Sequence, residues 1–159
     1  MKILGIDPGS VSMGFAIIKA QGSSLTSLAY GTTEIKTPEL AEKLLRVRTE
    51  VLGLLKKYKP DAVGIEKLFF SKNKKTAFEV AQARGVILVT LKEADIPIFE
   101  FTPAEIKIAA TNYGAADKEM VRKMVGKLLG LEHIAGDDNA SDALAVAIAA
   151  ANSARIAQR

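Results

Sequence analysis

Three acidic residues in this chain stand where apolar elements end and where a carboxylate has little ordinary structural work. Asp7 closes the run that carries Ile3, Leu4 and Ile6, Glu66 closes a second run after Val63 and Ile65, and Asp142 falls in the first turns of a helix made mostly of Ala, Leu, Val and Ile. If the two strands are neighbours, Asp7 and Glu66 meet at one edge of a sheet, and a final helix packed across that edge brings Asp142 to them. Clustered, half-buried carboxylates repel one another, and a divalent cation offsets that repulsion directly. Oxygen donors without Cys or His suit Mg²⁺ or Mn²⁺ rather than zinc. Two such ions about 3.5–4 Å apart can activate a water and stabilise the leaving oxygen of a phosphodiester. Taken singly, each acid has a plainer reading: Asp7 caps the turn before Pro8-Gly9, and Asp142 answers a helix dipole. Convergence of all three favours the cation.

Composition narrows the chemistry further. The 159 residues contain no cysteine and one histidine, His133, so Ser-His and Cys-His hydrolases are excluded and carboxylates must carry the reaction. The net charge of +4 permits a polyanionic partner. Position says more than the total: Lys67, Lys72, Lys74 and Lys75 crowd one stretch, and Lys107, Lys118, Arg122, Lys123 and Lys127 another. Any one of these lysines, taken alone, reads as part of a solvated helix face. The N-terminal apolar run ends at Asp7 and the longest small, apolar stretch spans only Ala143 to Ala151, too short for a signal segment or a membrane span. Length and composition predict one domain over residues 1–159, soluble and cytoplasmic.

The elements that must position the acids are legible in outline. Residues 2–7 read as a buried strand, and Val11–Lys19 and Leu25–Ile35 as two more, giving an antiparallel meander. Thr37-Pro38 reads as a helix N-cap with Pro at the first helical position, after which Leu40, Leu44, Val47, Val51 and Leu54 recur at helical spacing until Tyr58-Lys59-Pro60. Asp61–Glu66 is a short buried strand, Lys74 to Ala94 a long helix and Ile96–Phe101 a fifth strand. Helices are predicted from Pro103, over Lys118–Leu129 and over Asp138–Ala154. The order β-β-β-α-β-α-β-α predicts an α/β fold, a mixed five-stranded sheet of meander plus βαβα units with helices on both faces. That is the arrangement of the RNase H-like fold and also of each half of the actin and sugar-kinase ATPases, so order alone does not choose.

Local motifs do choose. The chain resembles the bacterial RuvC-type Holliday-junction resolvases over nearly its whole length. The resemblance is carried by Gly5-Ile6-Asp7-Pro8-Gly9-Ser10 with Gly14, by Ile65-Glu66-Lys67-Leu68-Phe69-Phe70 with Asn73, and by Ala81-Gln82-Ala83-Arg84-Gly85-Val86. Lys107, Gly114-Ala115-Ala116-Asp117-Lys118 and Ser141-Asp142-Ala143-Leu144-Ala145 complete it. It implies that Asp7, Glu66 and Asp142 are metal-binding catalytic acids, that Phe69 wedges into the opened junction, and that Lys107 and Lys118 lie near the scissile phosphate. It further implies two Mg²⁺ ions per site, four-way junction DNA as substrate with paired symmetric nicking, and a branch-migration helicase as partner. A homodimer is implied through the helix whose small residues Ala77, Ala81 and Gly85 recur at i, i+4 spacing.

One position departs from the pattern. Where the family places a further acid or a histidine, three residues before the acid of the last helix, this chain has Asn139. Asparagine offers a metal a carbonyl oxygen without charge. Asp138, four residues before Asp142, could face the same way and substitute, or it could be the helix N-cap. Alternatives of other classes are an actin-like ATPase or sugar kinase, which needs a second phosphate-binding domain that 159 residues leave no room for. A junction-binding protein whose nuclease site has decayed is contradicted by the retained acids. Another RNase H-like nuclease is disfavoured by the Gln82-Ala83-Arg84-Gly85 block.

Overall fold

The computed structural model describes residues 1–68 and 74–157, and within them every side chain except those of residues 74 and 75. Strands β1 (Lys2–Pro8), β2 (Ser12–Gln21) and β3 (Ser24–Glu34) form the expected antiparallel meander. Helix α1 (Leu40–Tyr58) leads to β4 (Ala62–Glu66), and α2 (Lys74–Glu93) to β5 (Ile98–Phe101). Helices α3 (Pro103–Thr111), α4 (Lys118–Leu129) and α5 (Asp138–Ala157) complete the chain. The sheet order is β3-β2-β1-β4-β5, with β4 parallel to both β1 and β5.

Strand alternation divides the apolar residues between two cores. Ile3, Ala16, Ile18 and Ala62 pack under α3, α4 and α5, while Leu4, Ile6, Ile17, Val63 and Ile65 pack under α1 and α2. Each fully buried Leu or Ile contributes about 1.5–3 kcal/mol relative to exposure. The central strands are therefore apolar on both faces, which is why β1 and β4 read as continuous hydrophobic runs. Helix α5 is the most deeply buried element, with Ala143 to Ala151 all inside.

Two local readings needed correction. Helix α1 begins at Leu40 after Glu39, and the Thr37 hydroxyl donates to the Glu42 carboxylate (2.7 Å) instead of capping a backbone amide. Strand β5 starts at Ile98, not Ile96: the Ile96 amide still bonds back to Leu91, and Pro97 has no N–H to give a ladder. On α2 the solvent-facing stripe is Phe78, Gln82, Gly85 and Val89, while Ala77 and Ala81 are half-buried. The small-residue stripe thus shares only Gly85 with the exposed face, where Phe78 is 71% and Val89 59% exposed. Among the described residues no helix is long and apolar enough to cross a membrane.

Candidate active site

Glycines decide where the acids meet. Gly5, Gly14 and Gly64 lie under α5, and a Cβ on Gly5 would come within 2.6 Å of the Ala147 nitrogen, on Gly64 within 2.7 Å of the Ala150 Cβ, and on Gly14 within 2.6 Å of the Asn139 carbonyl carbon. Without those side chains a helix of alanines lies directly on the sheet. Asp7 follows Gly5 by two residues and Glu66 follows Gly64 by two, so alternation turns both acids to the α5 side. Helix α5 runs back across the sheet, with Ala150 over Gly64, Ala147 and Ala143 over Gly5, and Asn139 over Gly14. Gly14 is the cross-strand partner of Asp7. The first turns of α5, and Asp142 with them, therefore reach the ends of β1 and β4.

The three carboxyl groups act on one another there. Burial, then Asp142 and Glu66, push the Asp7 carboxyl up to about 7. Burial, then Asp142, raises Glu66 above its ordinary range, and Lys118 opposes the shift. Asp142 is also raised, first by burial, again against Lys118. Lys118, the first residue of α4, places Nζ 3.3 Å from Asp138 Oδ2 and 3.8 Å from Asp142 Oδ2, and its ammonium is held above its usual range chiefly by Asp142. The Lys118 side chain is 74% exposed, so these pairs are screened and individually weak. Among the described residues no three Asp, Glu or His side chains are already drawn together into a closed metal cage. The donor set nevertheless fits a hard divalent cation: oxygen ligands whose carboxyl groups are raised first by burial, with neighbouring acids adding to the shift, a cost that positive charge would relieve.

Glu66, Lys107, Lys118 and Asp142 line one groove of about 180 Å³, floored by Ile106 and Val146. Lys67 lies on the other side of Glu66, in a cleft it shares with Pro8 and Arg84. Lys107 and Lys118 thus join the acids, and Lys67 borders them. Phe69 and Lys72 lie outside the described residues, as do the side chains of Lys74 and Lys75.

The first turn of α5 resolves one ambiguity. The N-cap is Asp137, whose carboxylate accepts from the Ala140 amide (3.2 Å) and from the Thr32 hydroxyl. The Thr32 hydrogen bond holds Asp137 below the usual carboxylate range. The cap reading of Asp138 is thereby overturned: its carboxylate is 70% exposed and pairs with Lys118 and with Arg122 (3.8 Å). Asn139 donates from Nδ2 to the Ser12 hydroxyl at 2.8 Å, so its amide nitrogen is engaged by β2. Sequence reading missed Asp137, Ser12 and Thr32. The run Asp137-Asp138-Asn139 offers three capping residue types in a row, and only the backbone chooses among them.

A mixed five-stranded sheet with acids at the ends of its first and fourth strands and on its last helix defines the RNase H-like class. Comparison with known proteins narrows that class. The family model of crossover junction endodeoxyribonuclease RuvC matches residues 3–150. Curated relatives of that name include one from Syntrophomonas wolfei, 45% identical over 159 residues (98% of this chain, 91% of the relative). Another, from Thermosipho melanesiensis, is 46% identical over 148 residues (92% and 94%). The structure of T. thermophilus RuvC in complex with Holliday junction substrate superposes with a TM-score of 0.91 at 32% identity, covering 99% of this chain and 96% of that one. A yeast mitochondrial Holliday junction resolvase shares the fold at a TM-score of 0.71 and 11% identity, covering 92% of this chain and 76% of its own. The chain belongs to the RuvC family.

Proposed function

We propose that this chain is a crossover junction endodeoxyribonuclease that resolves four-way DNA junctions by metal-dependent hydrolysis, residues 1–159 acting as one nuclease domain. The observation that carries the reading is the meeting of Glu66 and Asp142 in a groove that also holds Lys107 and Lys118, with the buried Asp7 carboxyl close enough to feel both acids. Asp7, Glu66 and Asp142 would hold two Mg²⁺ ions, with Mn²⁺ able to substitute and a further oxygen from Asn139 or Asp138. When bound, the metal supplies a nucleophilic water and charge neutralisation at the phosphate. The chain's own residues do the rest. Asp7 and Glu66, on strands, and Asp142, on a helix pinned to those strands, hold their carboxylates in fixed relation. Lys118 balances the carboxylate charge until substrate arrives and then offers its ammonium to the scissile phosphate. Lys107 faces the same groove and adds a second cation.

DNA is engaged beyond the groove by Lys67, Lys72, Lys74 and Lys75, and Phe69 stacks in the opened junction, where base–aromatic stacking is worth about 1–3 kcal/mol per base. Two copies pair through the outer face of α2, whose exposed Phe78 and Val89 flank Gly85, with open space over the glycine. A C₂ pair presents two matched sites to a two-fold junction and so makes symmetric nicks. The work belongs in the cytoplasm, alongside a branch-migration helicase.

The test is cleavage of a synthetic four-way junction and of a linear duplex of the same sequence, with and without Mg²⁺. Mg²⁺-dependent paired nicks in the junction alone are expected. Metal-independent cleavage, or equal cutting of the duplex, would overturn the reading.

A further inference from the structure

Arg84 reaches from α2 to the end of β4 and grips the residue that carries the acid. Its Nε donates to the main-chain oxygen of Glu66 at 3.0 Å, and its terminal NH2 group pairs with the Glu100 carboxylate on β5. The arginine side chain is only 17% exposed. Glu66 is the last residue of β4, and the next amide, of Lys67, donates to the Phe101 oxygen at 2.7 Å. The peptide that leaves Glu66 is thus held on its N–H side by the β5 ladder and on its C=O side by the guanidinium. A strand end has fewer ladder bonds to set its peptide planes, and holding the peptide after Glu66 steadies the main chain from which the Glu66 side chain projects.

We infer that Arg84 is a positioning residue for cleavage, fixing the Glu66 carboxylate relative to Asp7 and Asp142 without itself touching substrate. This rests on the nuclease reading of the site. The guanidinium is engaged by both the Glu66 oxygen and Glu100 on a largely buried side chain, unlike the exposed Lys118. Its planar fork serves the Glu66 oxygen and Glu100 at once, whereas a lysine ammonium at the same place has neither the reach nor the fixed angle to serve both. The role also explains why an arginine stands in the Ala83-Arg84-Gly85 motif, on a helix that contributes no acid to the groove.

The experiment compares Arg84→Met, Arg84→Lys and Glu100→Gln with the unaltered chain in three measurements. These are single-turnover cleavage in Mg²⁺, junction affinity in Ca²⁺, and the rise in melting temperature that Ca²⁺ alone produces. Residues that orient metal ligands from behind typically change activity or metal affinity by about 10–100-fold, and Arg84→Met is expected to slow cleavage by that factor. It is expected to need more Ca²⁺ for the same melting shift and to bind the junction within about twofold of the unaltered chain, because phosphate contacts are made elsewhere. Arg84→Lys is expected to regain only part of the rate, and Glu100→Gln, which leaves the Glu66 bond intact, most of it. Should Arg84→Met fail to fold, Arg84→Lys carries the same comparison of rate against affinity. A loss of junction affinity that matches the loss of rate would make Arg84 a phosphate contact and overturn the inference, as would an unchanged rate. Absence of cleavage by the unaltered chain would instead overturn the nuclease reading and this inference with it.

Discussion

Lys118 Nζ stands 3.8 Å from Asp142 Oδ2, so the last acid of the site faces a cation supplied by the neighbouring helix. Helix α4 begins at Lys118 because Asp117 caps it through the Met120 amide at 2.8 Å. The cap therefore places the ammonium at the mouth of the groove. With Lys118→Met, single-turnover cleavage is expected to fall about 10²–10³-fold, the usual cost of removing one transition-state electrostatic group. Junction affinity is expected to change little, because one exposed lysine is one phosphate contact among several. Cleavage at the unaltered rate would remove Lys118 from the mechanism.

Asp7 is raised first by burial, then by Asp142 on α5 and Glu66 on β4 and slightly by Asp137 at the α5 cap, against Lys118 on α4. Its folded-state pKa of about 7 lies above the ordinary 3.8, so the folded chain binds more protons than the unfolded one between those values. Stability of the metal-free protein must then fall as pH rises through that window. Asp7→Asn removes this cost: in EDTA its melting temperature is expected to exceed that of the unaltered chain at about pH 8 and to match it at about pH 4. Cleavage is expected to be abolished while junction binding survives. Equal melting temperatures at both pH values would show that Asp7 is not held against its neighbours.

The first turn of α5 allows two acids to be told apart. Asp137→Ala is expected to cost about 0.5–2 kcal/mol of stability, since it removes the helix cap. Asp138→Ala removes only exposed pairs with Lys118 and Arg122 and is expected to melt within about 0.5 kcal/mol of the unaltered chain. Its Mg²⁺ titration of cleavage is the informative measurement. A shift to higher Mg²⁺ assigns Asp138 to the metal, whereas an unshifted curve removes it from the metal site.

Asn139→Asp is the complementary case. A carboxylate attracts a hard cation more strongly than an amide, so cleavage is expected at lower Mg²⁺. The substitution also removes the Nδ2 donor to Ser12, so a small loss of metal-free stability is expected, about 0.5–1.5 kcal/mol for one hydrogen bond. A titration unmoved by either Asn139→Asp or Asp138→Ala would place the further metal oxygen outside this turn.

Gly64→Ala tests the close approach that brings Asp142 to the strands. Its Cβ would meet the Ala150 Cβ at 2.7 Å and the Val146 oxygen at 3.0 Å, with helix backbone on one side and sheet on the other. Overpacking of this kind costs about 1–3 kcal/mol. Cleavage is expected to drop by more than the folded fraction does, because pushing α5 off the sheet moves Asp142 away from Glu66. A stable variant of normal activity would show that the contact does not set the site.

Much of this protein was determined by its sequence. The continuous apolar runs of β1 and β4 require strands buried on both faces, and Asp7 and Glu66 mark the ends of those runs. The run of small residues in α5 is likewise written in the sequence. These features are local and periodic, so they can be read along the chain. What tertiary structure alone decided are contacts between residues far apart in sequence. Asp137, the cap of α5, also accepts a hydrogen bond from Thr32, 105 positions away. Lys118 faces Asp142 because α3 and α4 fold back beside α5 over the same core. Arg84 meets the Glu66 carbonyl because α2 returns across the sheet before β5 is laid down. The outer stripe of α2 passes through Phe78 and Val89 because the helix is rotated by what it buries, Ala83, Ile87 and Leu91, and spacing alone does not say which side a helix buries.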